Sequence, residues 1–199
     1  MNNLECIRTE RRCSMNPIDE LLAEHEAVKT TLKILKRIGQ DVAKSGNIAN
    51  PEHLDQLFDF SVTFVDRCHH SKEEEQLFPA LEEMGVSREG GPVGVMLQEH
   101  QQGRDLISEM KIALDQYGNG DKDAAQIFIR RANDYVTLLT FHIDKENNVL
   151  FPMAEKHLPK SKMVELKKGF DRIEKDKIGA GKHEYYHQML DALEKEYLS

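Results

Sequence analysis

Two stretches of this chain hold the same potential metal chemistry. One is His69-His70-Ser71-Lys72-Glu73-Glu74-Glu75-Gln76-Leu77-Phe78-Pro79, and the other is His142-Ile143-Asp144-Lys145-Glu146-Asn147-Asn148-Val149-Leu150-Phe151-Pro152. Both read H-x-x-K-E-x-x-x-L-F-P. On a helix, residues four apart share a face, so each copy aims one imidazole and one carboxylate in the same direction. A neutral imidazole and a carboxylate are two good ligands for a borderline-hard transition metal.

A shorter echo precedes each copy: Leu22-Ala23-Glu24-His25 and Leu97-Gln98-Glu99-His100. The near-equal spacing implies two copies of one helix-loop-helix unit, each offering one histidine from its first helix and a His–Glu pair from its second. Folded together, His25, His69, Glu73, His100, His142 and Glu146 converge as four imidazoles and two carboxylates, a set suited to two metals. With the carboxylates and an oxide or hydroxide as bridges, two six-coordinate metals keep open positions, one fewer if His70 also binds. His70 is turned about 100° around the helix from His69 and is either a further ligand or a neighbour. Mixed imidazole and bridging carboxylate suits iron first and manganese second, and zinc as a substitute.

The elements that must position these residues follow from periodicity and punctuation. Ile18, Leu21, Leu22, His25, Val28, Leu32, Leu35 and Ile38 form an apolar stripe on a helix over about 17–44. Asn16-Pro17 starts it and Ser45-Gly46-Asn47 stops it. Asn50-Pro51 starts a second helix to about 84, with a kink expected at Pro79 and a stop at Gly85. A third covers about 92–117, its face including Val95, Met96, His100, Ile107 and Met110. A fourth covers about 121–157, with Tyr135 to Phe141 read as core. The fold class is therefore all-α: an up-down-up-down four-helix bundle over 16–158. A C-terminal extension over 159–199 supplies one or two further helices, divided at Gly179-Ala180-Gly181, with Met189, Leu190, Leu193 and Tyr197 packed on the bundle. Residues 1–15 lack periodicity and read as a disordered lead.

Other residues have plain readings. Lys72 to Glu75, Glu73 apart, is a solvated charge run. Glu24 and Glu99 are either acceptors for imidazole N–H groups or surface carboxylates. Cys68 is a buried small hydrophobe. His183 and His187, four apart, are surface or interface residues, the alternative being an accessory role at the site.

Bulk composition limits the partners. The chain has 199 residues, 39 % of them hydrophobic, and a net charge of −8 from 35 acidic and 27 basic residues. That balance, with the signs interspersed, argues against nucleic acid and against an anionic membrane surface. No run of about 18 apolar residues suggests a membrane span. The N-terminus has no apolar signal region. Three cysteines, Cys6, Cys13 and Cys68, cannot all pair, and a reducing cytoplasm is the simple expectation.

The residues quoted above resemble the hemerythrin-like (HHE cation-binding) domain family. His25, His69 with Glu73, His100, and His142 with Glu146 meet its H…HxxxE…H…HxxxE pattern over about 17–158. The resemblance implies a non-heme diiron centre with an oxo or hydroxo bridge and a small diatomic or peroxide ligand: dioxygen, peroxide or nitric oxide. The oxygen-carrying members use five histidines and a final His-x4-Asp, which this chain lacks, so turnover or sensing is expected over simple oxygen carriage. The alternatives are an iron-donating or iron-storing stress-response protein, similar to iron–sulfur-centre repair proteins, or a non-catalytic metal-binding bundle. The repair proteins usually carry a small cysteine-bearing N-terminal domain, larger than the fifteen residues ahead of Asn16.

Overall fold

A computed structural model describes residues 15–179 and 181–199. The reading of residues 1–15 as a disordered lead falls almost wholly outside them. Six helices and no strand make up the described chain. Helix α1 is Pro17–Ser45. Helix α2 spans 51–83, α3 is Pro92–Gly118, α4 spans 124–157, α5 spans 160–178 and α6 is Lys182–Leu198.

The starts and stops have local causes. The Asn16 side chain accepts a hydrogen bond from the Ile18 N–H at 3.1 Å, and Pro17 has no N–H to leave unmet. Gly46 ends α1 at φ 67° with its N–H donated to the Val42 carbonyl at 2.8 Å, a left-handed turn that favours glycine. Asn50 differs from expectation. Its side chain does not cap α2 and instead donates to the Tyr197 hydroxyl at 3.3 Å, tying the α1–α2 turn to α6.

The expected kink at Pro79 takes the form of a wider turn. The helix is π-helical over Glu73–Leu77 and returns to α-helix at Phe78. The second copy repeats this over Glu146–Leu150, ahead of Pro152. In both, the Phe N–H reaches back five residues, from Phe78 to Glu73 and from Phe151 to Glu146. A proline ring collides with the carbonyl four residues earlier in an α-helix, and a π turn relieves that collision without ending the helix. Phe60–His70 is π-helical as well.

The packing fixes the chain direction. Ile18 and Leu21 from the start of α1 cluster with Leu77, Phe78 and Leu81 from the end of α2. Val93 and Met96 from the start of α3 join them, with Leu150, Phe151 and Ala154 from late α4. Starts meeting ends in this order make the up-down-up-down bundle. A second apolar cluster fills the opposite end, from Leu32 to Val42, Leu54 to Val65, Ile107 to Tyr117 and Ala124 to Leu139. The repeated histidines and glutamates form a polar layer between the two.

The extension packs as two helices. Leu166 and Phe170 of α5 enter the first cluster, while Tyr186, Met189, Leu190 and Leu193 of α6 enter the second. Two expected core residues are outside. Phe141 is 65 % exposed and Val95 is 43 % exposed, because each falls on the outer side of a helix whose inner stripe is already complete.

Phe170 is fully buried. Phe170→Ala is expected to cost about 3–5 kcal/mol in urea unfolding. A loss under about 1 kcal/mol would mean that α5 is not part of the cooperative unit.

Candidate metal centre

Each of the four helices sends in its residues from its middle: His25 from α1, His69 and Glu73 from α2, His100 from α3, and His142 and Glu146 from α4. All six are at most 2 % exposed. The imidazoles meet in two pairs through their inner nitrogens. His25 Nε2 is 3.0 Å from His69 Nε2, and His100 Nε2 is 3.1 Å from His142 Nε2.

The outer nitrogens each have an oxygen to donate to. Every Nδ1 faces an oxygen: His25 to Asn147 Oδ1 at 2.6 Å, His69 to Glu24 Oε2 at 3.0 Å, His100 to Glu74 Oε1 at 2.7 Å, and His142 to Glu99 Oε2 at 2.9 Å. An imidazole that donates from Nδ1 presents a bare lone pair at Nε2. Four lone pairs then point at one buried space. Both carboxylates face it too, and all four of their oxygens are buried with no hydrogen-bond partner.

Two overlapping groups can each surround an ion: His25, His69, Glu73 and Glu146, and Glu73, His100, His142 and Glu146. Both contain the two glutamates. Glu73 Oε1 is 3.6 Å from His69 Nε2 while Oε2 is 3.4 Å from His100 Nε2, so one carboxylate serves both pairs. Glu146 lies 3.3 Å from both His25 and His142. Inward lone pairs, unpartnered anionic oxygens and shared carboxylates are what two divalent cations require.

Ionisation follows burial. Desolvation lowers His69 to about 4, and lowers His100 and His70 as well, so these imidazoles are neutral and ready to coordinate. Without cations, burial, then the charge of Glu146, pushes Glu73 well above the carboxylate range. At Glu146 burial acts in the same direction, and only charge on His142 and His25 would act against it.

The charge run needs correction. Lys72 is fully buried, donating to Glu20 Oε1 at 2.6 Å and to Glu24 Oε1 at 2.5 Å. Glu24 spends its other oxygen on His69. The second copy repeats the device, with Lys145 donating to Glu99 and Glu99 accepting from His142. The lysine of H-x-x-K-E thus neutralises the glutamate of the preceding E-H, and that glutamate orients the histidine. Glu24 and Glu99 are acceptors and not surface groups. Glu74 is half-buried against His100 and Arg104, which leaves Glu75 as the solvated member.

The copies differ where His70 stands. His70 stacks on His100 with ring centroids 3.8 Å apart, and its ring nitrogen groups with those of His100 and His142. Ile143 occupies the matching place in the second copy. Arg104 donates to Asp66 and Glu74, both at 2.7 Å, and Asp66 lies 3.4 Å from His70 Nδ1. Beside them a cavity of about 220 Å3 is lined by Val65, Asp66, His70, Arg104 and Tyr135, among others. Neither Arg104 nor Asp66 is marked by the repeat, because each acts on one copy alone. His183 and His187 lie outside the central layer. His183 packs on Phe64, ring centroids 4.7 Å apart, in the α2–α6 interface.

A buried polar layer of shared carboxylates inside a four-helix bundle defines a cation-binding helical protein. The chain matches the Hemerythrin HHE cation binding domain over residues 16–154 and belongs to that family. It is also similar to proteins described as iron-sulfur cluster repair protein YtfE. In Edwardsiella ictaluri (strain 93-146) the identity is 29 % over 147 residues, 69 % of this chain and 66 % of that protein. In Enterobacter sp. (strain 638) it is 35 % over 89 residues, 43 % of this chain and 40 % of that protein. The chain thus spans less than two thirds of either relative. Among the described residues, no helix is long and apolar enough to cross a membrane.

Two outcomes test this geometry. Lys72→Met removes the buried ammonium group that Glu20 and Glu24 share and is expected to cost about 3 kcal/mol or more. Lys145→Met, at a side chain 39 % exposed, is expected to cost under about 1 kcal/mol; equal losses in urea unfolding would contradict the burial assigned to Lys72. The second outcome concerns pH. The unfolded chain protonates His69 at its ordinary 6.5 and the folded chain only at about 4. The neutral histidine's contribution is therefore full above 6.5 and lost as pH falls towards 4. Metal-free protein should lose stability across that window, and a flat profile would contradict a buried neutral His69.

Proposed function

We propose that this chain is a non-heme diiron protein that binds, senses or reduces a small molecule such as dioxygen, peroxide or nitric oxide. The observation that carries the reading is the pair of glutamates whose four unpartnered oxygens face four inward imidazole nitrogens. His25, His69, His100 and His142 would each supply one nitrogen, with Glu73 and Glu146 as bridges and His70 as a further nitrogen on the His100 side. Iron suits this nitrogen and oxygen mixture best, with manganese or zinc as substitutes. When bound, two irons with an oxo or hydroxo bridge supply one-electron chemistry at open positions.

The protein's own residues supply the rest. Asn147, Glu24, Glu74 and Glu99 hold the imidazoles in one tautomer, and Phe78 and Phe151 cover the layer and limit water. The cavity beside His70 has room for a small ligand, and Arg104 and Asp66 place charge and a hydrogen-bond donor at its edge. A reducing cytoplasm fits a chain whose three cysteines cannot all pair. No nucleic-acid or membrane partner is proposed.

The second reading is iron donation or storage under stress. It is favoured by the similarity to proteins described as iron-sulfur cluster repair proteins. Transfer of iron from the loaded chain to a metal-free cluster protein separates it from the first reading.

Protein reconstituted anaerobically with ferrous iron should hold about two irons per chain. Its absorption should change on exposure to dioxygen, peroxide or nitric oxide. Glu73→Gln and Glu146→Gln should each lower the iron content to about one or less per chain. Full iron content in both variants would contradict the bridging roles. No spectral response to any of the three molecules would contradict the small-molecule reading.

A further inference from the structure

We propose that Glu24, Cys68, Glu174 and His183 form a separate mononuclear site for a divalent cation such as zinc or ferrous iron, outside the paired centre. One ligand atom from each lies within 4.8 Å of the other three. They come from four different helices: α1, α2, α5 and α6. The bundle and the extension therefore meet at this point.

The donor chemistry is specific. A thiol, an imidazole and two carboxylates make a set that a four-coordinate, borderline-soft cation takes readily, and oxygen-seeking magnesium or calcium does not. Ligands around such an ion sit about 3.3–3.8 Å apart, so the cluster needs only a small contraction. Its more exposed half can supply that. Cys68 and Glu24 are buried at 1 % and 4 % exposure, whereas the Glu174 and His183 side chains are 26 % and 15 % exposed and already lie 3.4 Å from each other.

The local charge also leaves room for a cation. Glu20, Glu24 and Glu174 gather around Lys72 and Lys167, three carboxylates against two ammonium groups. Lys72 stands 2.5 Å from Glu24 but 3.6 Å from Glu174. Glu174 can therefore turn to an ion while Lys72 stays with Glu24. Because Glu24 also accepts from His69, an ion here touches the outer partner of one imidazole of the paired centre. The ligands of the pair are buried, while this site opens to solvent through Glu174 and His183, so it should exchange its ion more freely.

Cobalt(II) titration tests the site, since a thiolate–cobalt bond gives a near-ultraviolet charge-transfer band that the sulfur-free paired centre cannot give. Cys6→Ser and Cys13→Ser remove the other thiols from the protein used. After the pair is filled with iron, one further cobalt per chain should bind and give the band. Cys68→Ala should abolish the band with iron content and helical circular dichroism retained. His183→Ala, at a partly exposed position, should weaken cobalt binding roughly tenfold or more, the scale on which even an outer partner acts, and leave the iron content unchanged. No thiolate band, or a band that survives Cys68→Ala, would overturn the proposal. The binding does not rest on the diiron reading. If iron fails to fill the pair, metal analysis registers that before cobalt is added, and the thiolate band is still read on metal-free protein.

Discussion

The structure depends on one electrostatic constraint: two carboxylates, Glu73 and Glu146, stand in the middle of the bundle with no hydrogen-bond partner. Moving a carboxylate out of water costs several kcal/mol after relaxation, and two in contact repel. Four imidazole lone pairs facing them add no donor. Without cations, the layer meets the constraint by keeping a proton on Glu73. With cations, the same groups become a ligand set. The two apolar clusters above and below it supply the packing that holds this layer in place.

Around that layer the chain spends its charge in order. Each inner histidine has an outer oxygen, and two of those oxygens belong to glutamates held by Lys72 and Lys145. The first lysine is sealed beneath α5, close to Phe170 and Glu174, whereas the second stays near solvent. The C-terminal helices thus complete the surroundings of His69, while the His100 side gains His70, Asp66, Arg104 and a cavity. A duplicated unit has become two unequal halves.

Much of this was legible in the sequence because it rests on spacing. Two H-x-x-K-E-x-x-x-L-F-P phrases and two E-H echoes place six residues on four helices, and the structure brings those six into one layer. Proline and glycine marked most helix boundaries within a few residues. What the sequence concealed depends on tertiary contact. Lys72 reads as a surface charge, since nothing local says that Phe170, more than ninety residues later, will lie near it. Arg104 and Asp66 have no counterpart in the second copy, so repetition could not mark them. Phe141 reads as core with the whole run from Tyr135, but its phase on α4 turns it outward. The gathering of Glu24, Cys68, Glu174 and His183 needs the docking of α5 and α6, which periodicity alone does not orient.

The most direct test of the central claim is anomalous diffraction at the iron absorption edge from crystals of iron-loaded protein. The account predicts two peaks about 3.5–4 Å apart, both between Glu73 and Glu146, one beside His25 and His69 and the other beside His100 and His142. A single peak, or peaks that leave either glutamate without a metal, would contradict it.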